Sequence, residues 1–131
     1  DLAKAAVPNG DFRCMNILES QFDDDQFDAV LLSFCIVHLD RDEAVSIIKK
    51  SARFLKSGGL LYISFMEGKN DGFEKTSFSD DDIYFHYHNE NQIMHVMEEN
   101  GLRVLKRFSQ DYAEADGSIT KDVFVFAEKK L

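Results

Sequence analysis

The stretch QFDAVLLSFCIVHLDRDEAVSIIKKSARFLKSGGLLYISFMEG, residues 26–68, decides the fold. Residues 27–36 are almost continuously apolar, the pattern of a strand buried on both faces, as in a parallel sheet. A buried helix is the competing reading, and periodicity alone does not separate the two; the flanks favour the strand. Asp40 suits a helix N-cap, and Glu43 stands three residues on, as in a capping box. Over residues 41–56, Ala44, Ile47, Ile48, Ala52 and Leu55 fall on one helical face. Lys49, Lys50 and Lys56 load the C-terminal half of that helix, where cations suit the dipole. Gly58 and Gly59 supply a left-handed stop, with one of them expected at positive φ. Residues 60–66, LLYISFM, form a second short apolar run. Strand, helix, glycine turn and strand make a βαβ unit, which closes right-handed in nearly all proteins.

Upstream, residues 1–7 read as the tail of a helix that the turn cluster Pro8-Asn9-Gly10 stops. Residues 11–16, DFRCMN, alternate weakly and fit a short strand, and residues 17–26 make a polar connection. The chain has no initiator methionine and opens inside a helical pattern, so the natural N-terminus is expected upstream. Downstream, residues 67–82 are polar, glycine-containing and irregular, long enough for a functional loop. Asn89, with Gln92 three positions on, starts a helix whose apolar face holds Ile93, Val96 and Met97, and Gly101 ends it. Residues 102–109 and 122–127 read as strands, joined through the hairpin signal Asp116-Gly117. No repeat or low-complexity segment divides the 131 residues, so residues 1–131 are expected to form a single α/β domain.

Composition narrows the function. Fifteen basic residues against 24 acidic ones leave a net charge of -9, unsuited to displacing counterions from nucleic acid. No apolar run approaches the roughly 18–20 residues of a membrane span. Cys14 and Cys35 lack C-x-x-C spacing and lie in apolar stretches, like thiols of a reducing compartment, which points to the cytoplasm. No two glycines stand one residue apart, so both the dinucleotide fingerprint and the phosphate-cradling loop are absent. Ser33 lacks the glycine flanks of a nucleophile elbow. Ser33, Phe34, Cys35 and His38 fall at or just past the end of the first buried strand, where open α/β sheets bind ligands. His38 reads either as a structural hydrogen-bonder or as a pocket residue able to take up a proton. His86, His88 and Glu90 have no recognised metal-ligand spacing, and no metal is expected. The aromatic run Tyr84, Phe85, His86, Tyr87 is either loop packing or a lid lining a substrate pocket.

The order of these parts resembles the class I S-adenosylmethionine-dependent methyltransferases: FDAV at a central strand, His-Leu before a capped helix, RFLKSGG feeding a second strand. The segment YFHYHNENQIMHVMEENGLRVL is similar to the aromatic segment, helix and strand start of the family's small-molecule enzymes. The resemblance implies a partial, Rossmann-like, mostly parallel sheet with an antiparallel C-terminal strand. It also implies S-adenosylmethionine as cofactor and methyl transfer to a small-molecule acceptor, this chain supplying the C-terminal half of the domain. Asn16, Ile17 and Leu18 would then meet the adenine, although Asn16 stands where the family commonly has Asp. Ser33 and Phe34 would touch the methionine part, and His38 would face the reacting centre. Glu67, Tyr84, His86 and Tyr87 would shape the substrate side. The family's first strand and glycine-rich cofactor loop have no counterpart in these residues. The strand expected at residues 11–16 thereby loses its usual neighbour, and the strand at 27–36 is left as an open edge able to self-associate. A non-catalytic assembly module built on the same sheet, or another α/β enzyme sharing only the βαβ unit, would fit the same elements.

Overall fold

The computed structural model describes residues 2–76 and 79–131. Helix α1 (Leu2–Ala6) is followed by an irregular segment and a 3-10 turn, Ile17–Glu19. Strand β1 (Phe27–Leu32) leads through a second 3-10 turn, Ile36–His38, into helix α2 (Arg41–Phe54) and strand β2 (Leu55–Glu67). Strands β3 (Gly72–Thr76) and β4 (Ser79–Phe85), helix α3 (Glu90–Glu99) and strands β5 (Leu102–Ala113) and β6 (Ile119–Lys129) complete the described elements. No described helix is long and apolar enough to cross a membrane.

The main sheet has the order β1-β2-β6-β5. β1 pairs with β2 in parallel, and β6 runs antiparallel to both β2 and β5. Three strands therefore share one direction and the C-terminal strand opposes them, as the resemblance implied. α2 starts as expected: the Asp40 carboxylate accepts from the Glu43 N–H at 2.8 Å, and Glu43 returns the bond to the Asp40 N–H at 3.0 Å. Asn89 likewise caps α3 by accepting from the Gln92 N–H at 3.1 Å. Ala44, Ile47 and Ile48 of α2 and Ile93 and Met97 of α3 form one buried core with Leu61, Ile63 and Phe65 of β2 and Val123, Val125 and Ala127 of β6.

Five local expectations are corrected. Residues 11–16 form no strand; no described strand pairs with them, and a lone extended segment gains no ladder hydrogen bonds. β1 ends at Leu32, four residues early, because Phe34 takes φ +46° and turns the chain. α2 ends at Phe54, before the glycine pair. Leu55 is already extended and pairs with Phe27, whereas Ala29 pairs with Leu60, so residues 56–59 bulge out of the ladder. Gly58 holds that bulge at φ +81°, and a Cβ on Gly59 would stand 2.8 Å from the Lys56 carbonyl oxygen and 3.0 Å from that of Asp28. Within the stretch 67–82 expected to be irregular, residues 72–76 form β3 and pair antiparallel with β4, which starts at Ser79. Finally, β1 and the start of β2 are not buried on both faces: Leu31 is 69% exposed and Leu60 46%, although the same face of β2 is closed further on at Ser64. β1 is a sheet edge, as foreseen.

Candidate functional site

The carboxyl ends of β1 and β2 carry the candidate residues. Ser33 is exposed and Phe34 half-buried. The unusual backbone of Phe34 is fixed from below, because its N–H donates to Ser64 Oγ at 2.8 Å and Ser64 is fully buried in β2. Burial pushes the adjacent Cys35 thiol up from its ordinary pKa.

The segment leaving β4 roofs this turn. The His86 N–H donates to the Val37 carbonyl at 2.7 Å. The exposed His38 places Nδ1 3.3 Å from the Tyr84 carbonyl oxygen and its ring 5.1 Å from that of Phe85. A proton on Nδ1 makes that contact a hydrogen bond and leaves Nε2 as the acceptor. His88 clasps the two strand ends together: its N–H donates to the Met66 carbonyl at 2.9 Å, and its Nε2 donates to the Ile36 carbonyl at 2.7 Å. Burial holds the His88 pKa below the ordinary histidine value, against the pull of the Ile36 carbonyl.

Asp71 orders the aromatic run from the other side. Its carboxylate accepts from the Tyr87 N–H at 2.7 Å and meets His86 Nδ1 at 2.8 Å. Burial works to raise the Asp71 pKa, but the Tyr87 and His86 contacts together outweigh it and the net shift is downward. The Tyr87 hydroxyl donates to Glu74 Oε2 at 2.5 Å, and burial followed by that carboxylate pushes the phenol above its ordinary pKa. Tyr84 packs edge-on between Phe73 and His86, with ring centroids 4.9 and 4.6 Å away. Glu67 accepts from the Glu90 N–H and so caps α3, while Glu90 itself is paired with Arg107.

These groups are shared among separate hollows. Phe34, Phe85 and Tyr87 line one of about 370 Å³ together with Tyr112, Glu114 and Asp122. Glu67 and Tyr87 face a second with Lys69, Asn70 and Asp116. Ile17 belongs to a third, apolar groove of about 420 Å³ along the β1 edge, beside Met15, Phe22 and Val30. Asn16, Leu18, Ser33, His38, Tyr84 and His86 stand outside all three. Asn16 spends one lone pair of Oδ1 on the Leu18 N–H at 3.0 Å, and Lys50 Nζ donates to the Leu18 carbonyl, so this segment is braced before any ligand arrives. No group of three or more metal-ligating side chains gathers among the described residues.

Sequence reasoning missed Ser64, Glu74, Tyr112, Glu114 and Asp122. Tyr112 with Glu114 and Thr120 with Asp122 alternate along the chain, but the first three lay in a stretch read as a linker and Asp122 at the first position of a strand.

Residues 1–63 match the model of a family described as a methyltransferase domain. A SAM-dependent methyltransferase from Methanosarcina mazei superposes with a TM-score of 0.80 at 16% identity, over 99% of this chain and 76% of that one. The chain carries the class I methyltransferase fold. The same fold relates it to the 1,6-didemethyltoxoflavin-N1-methyltransferase of Burkholderia thailandensis, solved with 1,6-didemethyltoxoflavin and S-adenosylhomocysteine (TM-score 0.68, 15% identity, 99% of this chain and 55% of that one). It also relates it to the geranyl diphosphate C-methyltransferase of Streptomyces coelicolor (TM-score 0.63, 16% identity, 89% of this chain and 52% of that one). No curated protein matches the sequence. The expected partial methyltransferase sheet is borne out in the order and direction of its four strands, though not in a strand at residues 11–16.

Proposed function

We propose that the chain supplies the C-terminal half of an S-adenosylmethionine-dependent methyltransferase domain acting on a small-molecule acceptor. The observation that carries this reading is the turn after β1. Phe34, held at positive φ by buried Ser64, presents its ring to an aromatic cavity under the roof formed by β4 and the segment after it. The methyltransferases of the same fold that were solved with S-adenosylhomocysteine and a small-molecule substrate support the choice of cofactor and acceptor size.

The residues fit the cofactor in part. Ile17 faces an apolar groove that suits a flat heterocycle, and Asn16 keeps one lone pair and its amide N–H groups. Leu18 contributes backbone already braced by Lys50. Ser33, exposed beside Phe34, offers a hydroxyl to the polar end of the ligand. The cofactor, when bound, supplies an electrophilic methyl group on a sulfonium. The chain's own part is orientation and exclusion of water. Tyr84, His86 and Tyr87, tied to one another and to Asp71, shape the acceptor side, with Glu67 closing the helix beneath them. His38, with Nδ1 committed to the Tyr84 carbonyl, presents Nε2 as the group that takes the acceptor's proton. Two unpaired cysteines support a cytoplasmic location.

Calorimetry with S-adenosylhomocysteine tests the reading: saturable heat is expected, and its absence from folded protein refutes it. In the active enzyme, His38→Ala should lower turnover by about 10²-fold or more with little change in cofactor affinity; equal losses of both would mark His38 as structural. The open β1 edge favours a second reading, an assembly module that pairs with another copy through that edge. Concentration-dependent sedimentation without any S-adenosylhomocysteine heat would select it.

A further inference from the structure

The cavity beside Phe34 has a marked chemical character. Aromatic rings from Phe34, Phe85, Tyr87 and Tyr112 form its walls, with the Met66 thioether. Three carboxylates, Glu74, Glu114 and Asp122, share the same space, and among the described residues no lysine, arginine or histidine lines it. The acids arrive from β3, from the β5–β6 turn and from β6, so their convergence belongs to the tertiary structure.

Two of the three have partners. Glu74 accepts from the Tyr87 hydroxyl and is ion-paired with Lys69 at 3.3 Å. Glu114 accepts from Thr120 Oγ1 at 2.9 Å, a neutral donor that leaves its charge standing. Asp122 has neither a hydrogen-bond donor nor a cation facing it among the described residues; it is half-buried, and burial together with the Glu114 charge raises its pKa. Such a site repels an anionic ligand. Aromatic faces and uncompensated carboxylates both attract an organic cation, the rings through their quadrupoles and the acids through charge. A neutral ligand would gain from the rings alone.

We infer that this cavity binds an organic cation, an ammonium or protonated amine on a small apolar body, and that the acceptor of the enzyme belongs to this class. The second clause rests on the function proposed above; the first stands on the cavity's own residues.

The test compares choline with its neutral carbon isostere, 3,3-dimethylbutanol, titrated into the chain and followed by amide chemical shifts. Choline should bind at least about tenfold more tightly, with the shifts centred on Tyr112 and Asp122. The double variant Glu114→Gln, Asp122→Asn should lose the preference while its circular dichroism stays unchanged, and Tyr112→Ala should weaken choline binding with the same control. Equal affinity for the two probes, no binding of either to folded protein, or a preference retained in the double variant overturns the inference. S-adenosylhomocysteine calorimetry on the same samples separates the two readings. Cofactor heat without a cation preference overturns only the acceptor class. A cation preference without cofactor heat overturns the methyltransferase instead.

Discussion

His88 is the residue on which the geometry of the candidate site most depends, and His88→Ala measures it. The residue is 6% exposed; its backbone N–H bonds Met66 at the carboxyl end of β2, and its side chain alone reaches Ile36 in the turn after β1. Truncation strands the Ile36 carbonyl in a region where Ile36 itself is fully buried, at a cost of about 1–3 kcal/mol for an unsatisfied acceptor. It also opens a void where the imidazole met the Phe65 ring, whose centroid lies 6.3 Å away, adding on the order of 1 kcal/mol. A total of about 2–4 kcal/mol is expected in urea unfolding followed by circular dichroism. His88→Gln, which can return an amide N–H to Ile36, should recover most of it. The same residue sets a pH signature. Its folded-state pKa is depressed below the 6.5 of an ordinary histidine, chiefly by burial, so the unfolded chain takes up the proton first. Stability from this group is therefore complete above pH 6.5 and falls as the pH drops through that value toward the folded pKa. Asp122, whose pKa is raised, contributes in the opposite sense. Subtracting the His88→Gln profile from that of the parent isolates the histidine. A loss below about 0.5 kcal/mol in His88→Ala, or identical acid profiles for parent and His88→Gln, would refute the account of the clasp.

Two further outcomes test the strained positions. Gly58→Val should cost on the order of 1–2 kcal/mol by thermal or urea unfolding, because the φ of +81° is hostile to a β-branched side chain; a neutral effect would mean the bulge relaxes freely. Ser64→Ala removes the acceptor for the Phe34 N–H and should destabilise by about 1–3 kcal/mol. It should also weaken S-adenosylhomocysteine binding more than Asp40→Ala does, a helix-cap change of about 1 kcal/mol remote from Phe34; equal effects of the two would detach Ser64 from the site.

What local pattern can encode was legible before any coordinates. The capping box at Asp40 and Glu43, the stripe Ala44, Ile47, Ile48 and Ala52, and the apolar run from Leu60 to Met66 are near-neighbour properties, and each appears where periodicity places it. The need for positive φ within Gly58-Gly59 was equally local, although it serves a strand bulge and not a helix stop: whether Leu55 closes the helix or opens the strand depends on Phe27 across the ladder. The same limit explains residues 11–16, whose strand-like alternation comes to nothing because a strand exists only with a neighbour to bond. It also explains Leu31 and Leu60, apolar yet left exposed on the sheet. Only tertiary structure decided the site. It brought Glu74, Glu114 and Asp122 from three segments onto one cavity, and it set His88 between Ile36, in the turn after β1, and Met66, at the end of β2. Side-chain spacing along a chain carries the direction a residue faces within its own element, but which other elements stand opposite follows from how the whole sheet is ordered and covered.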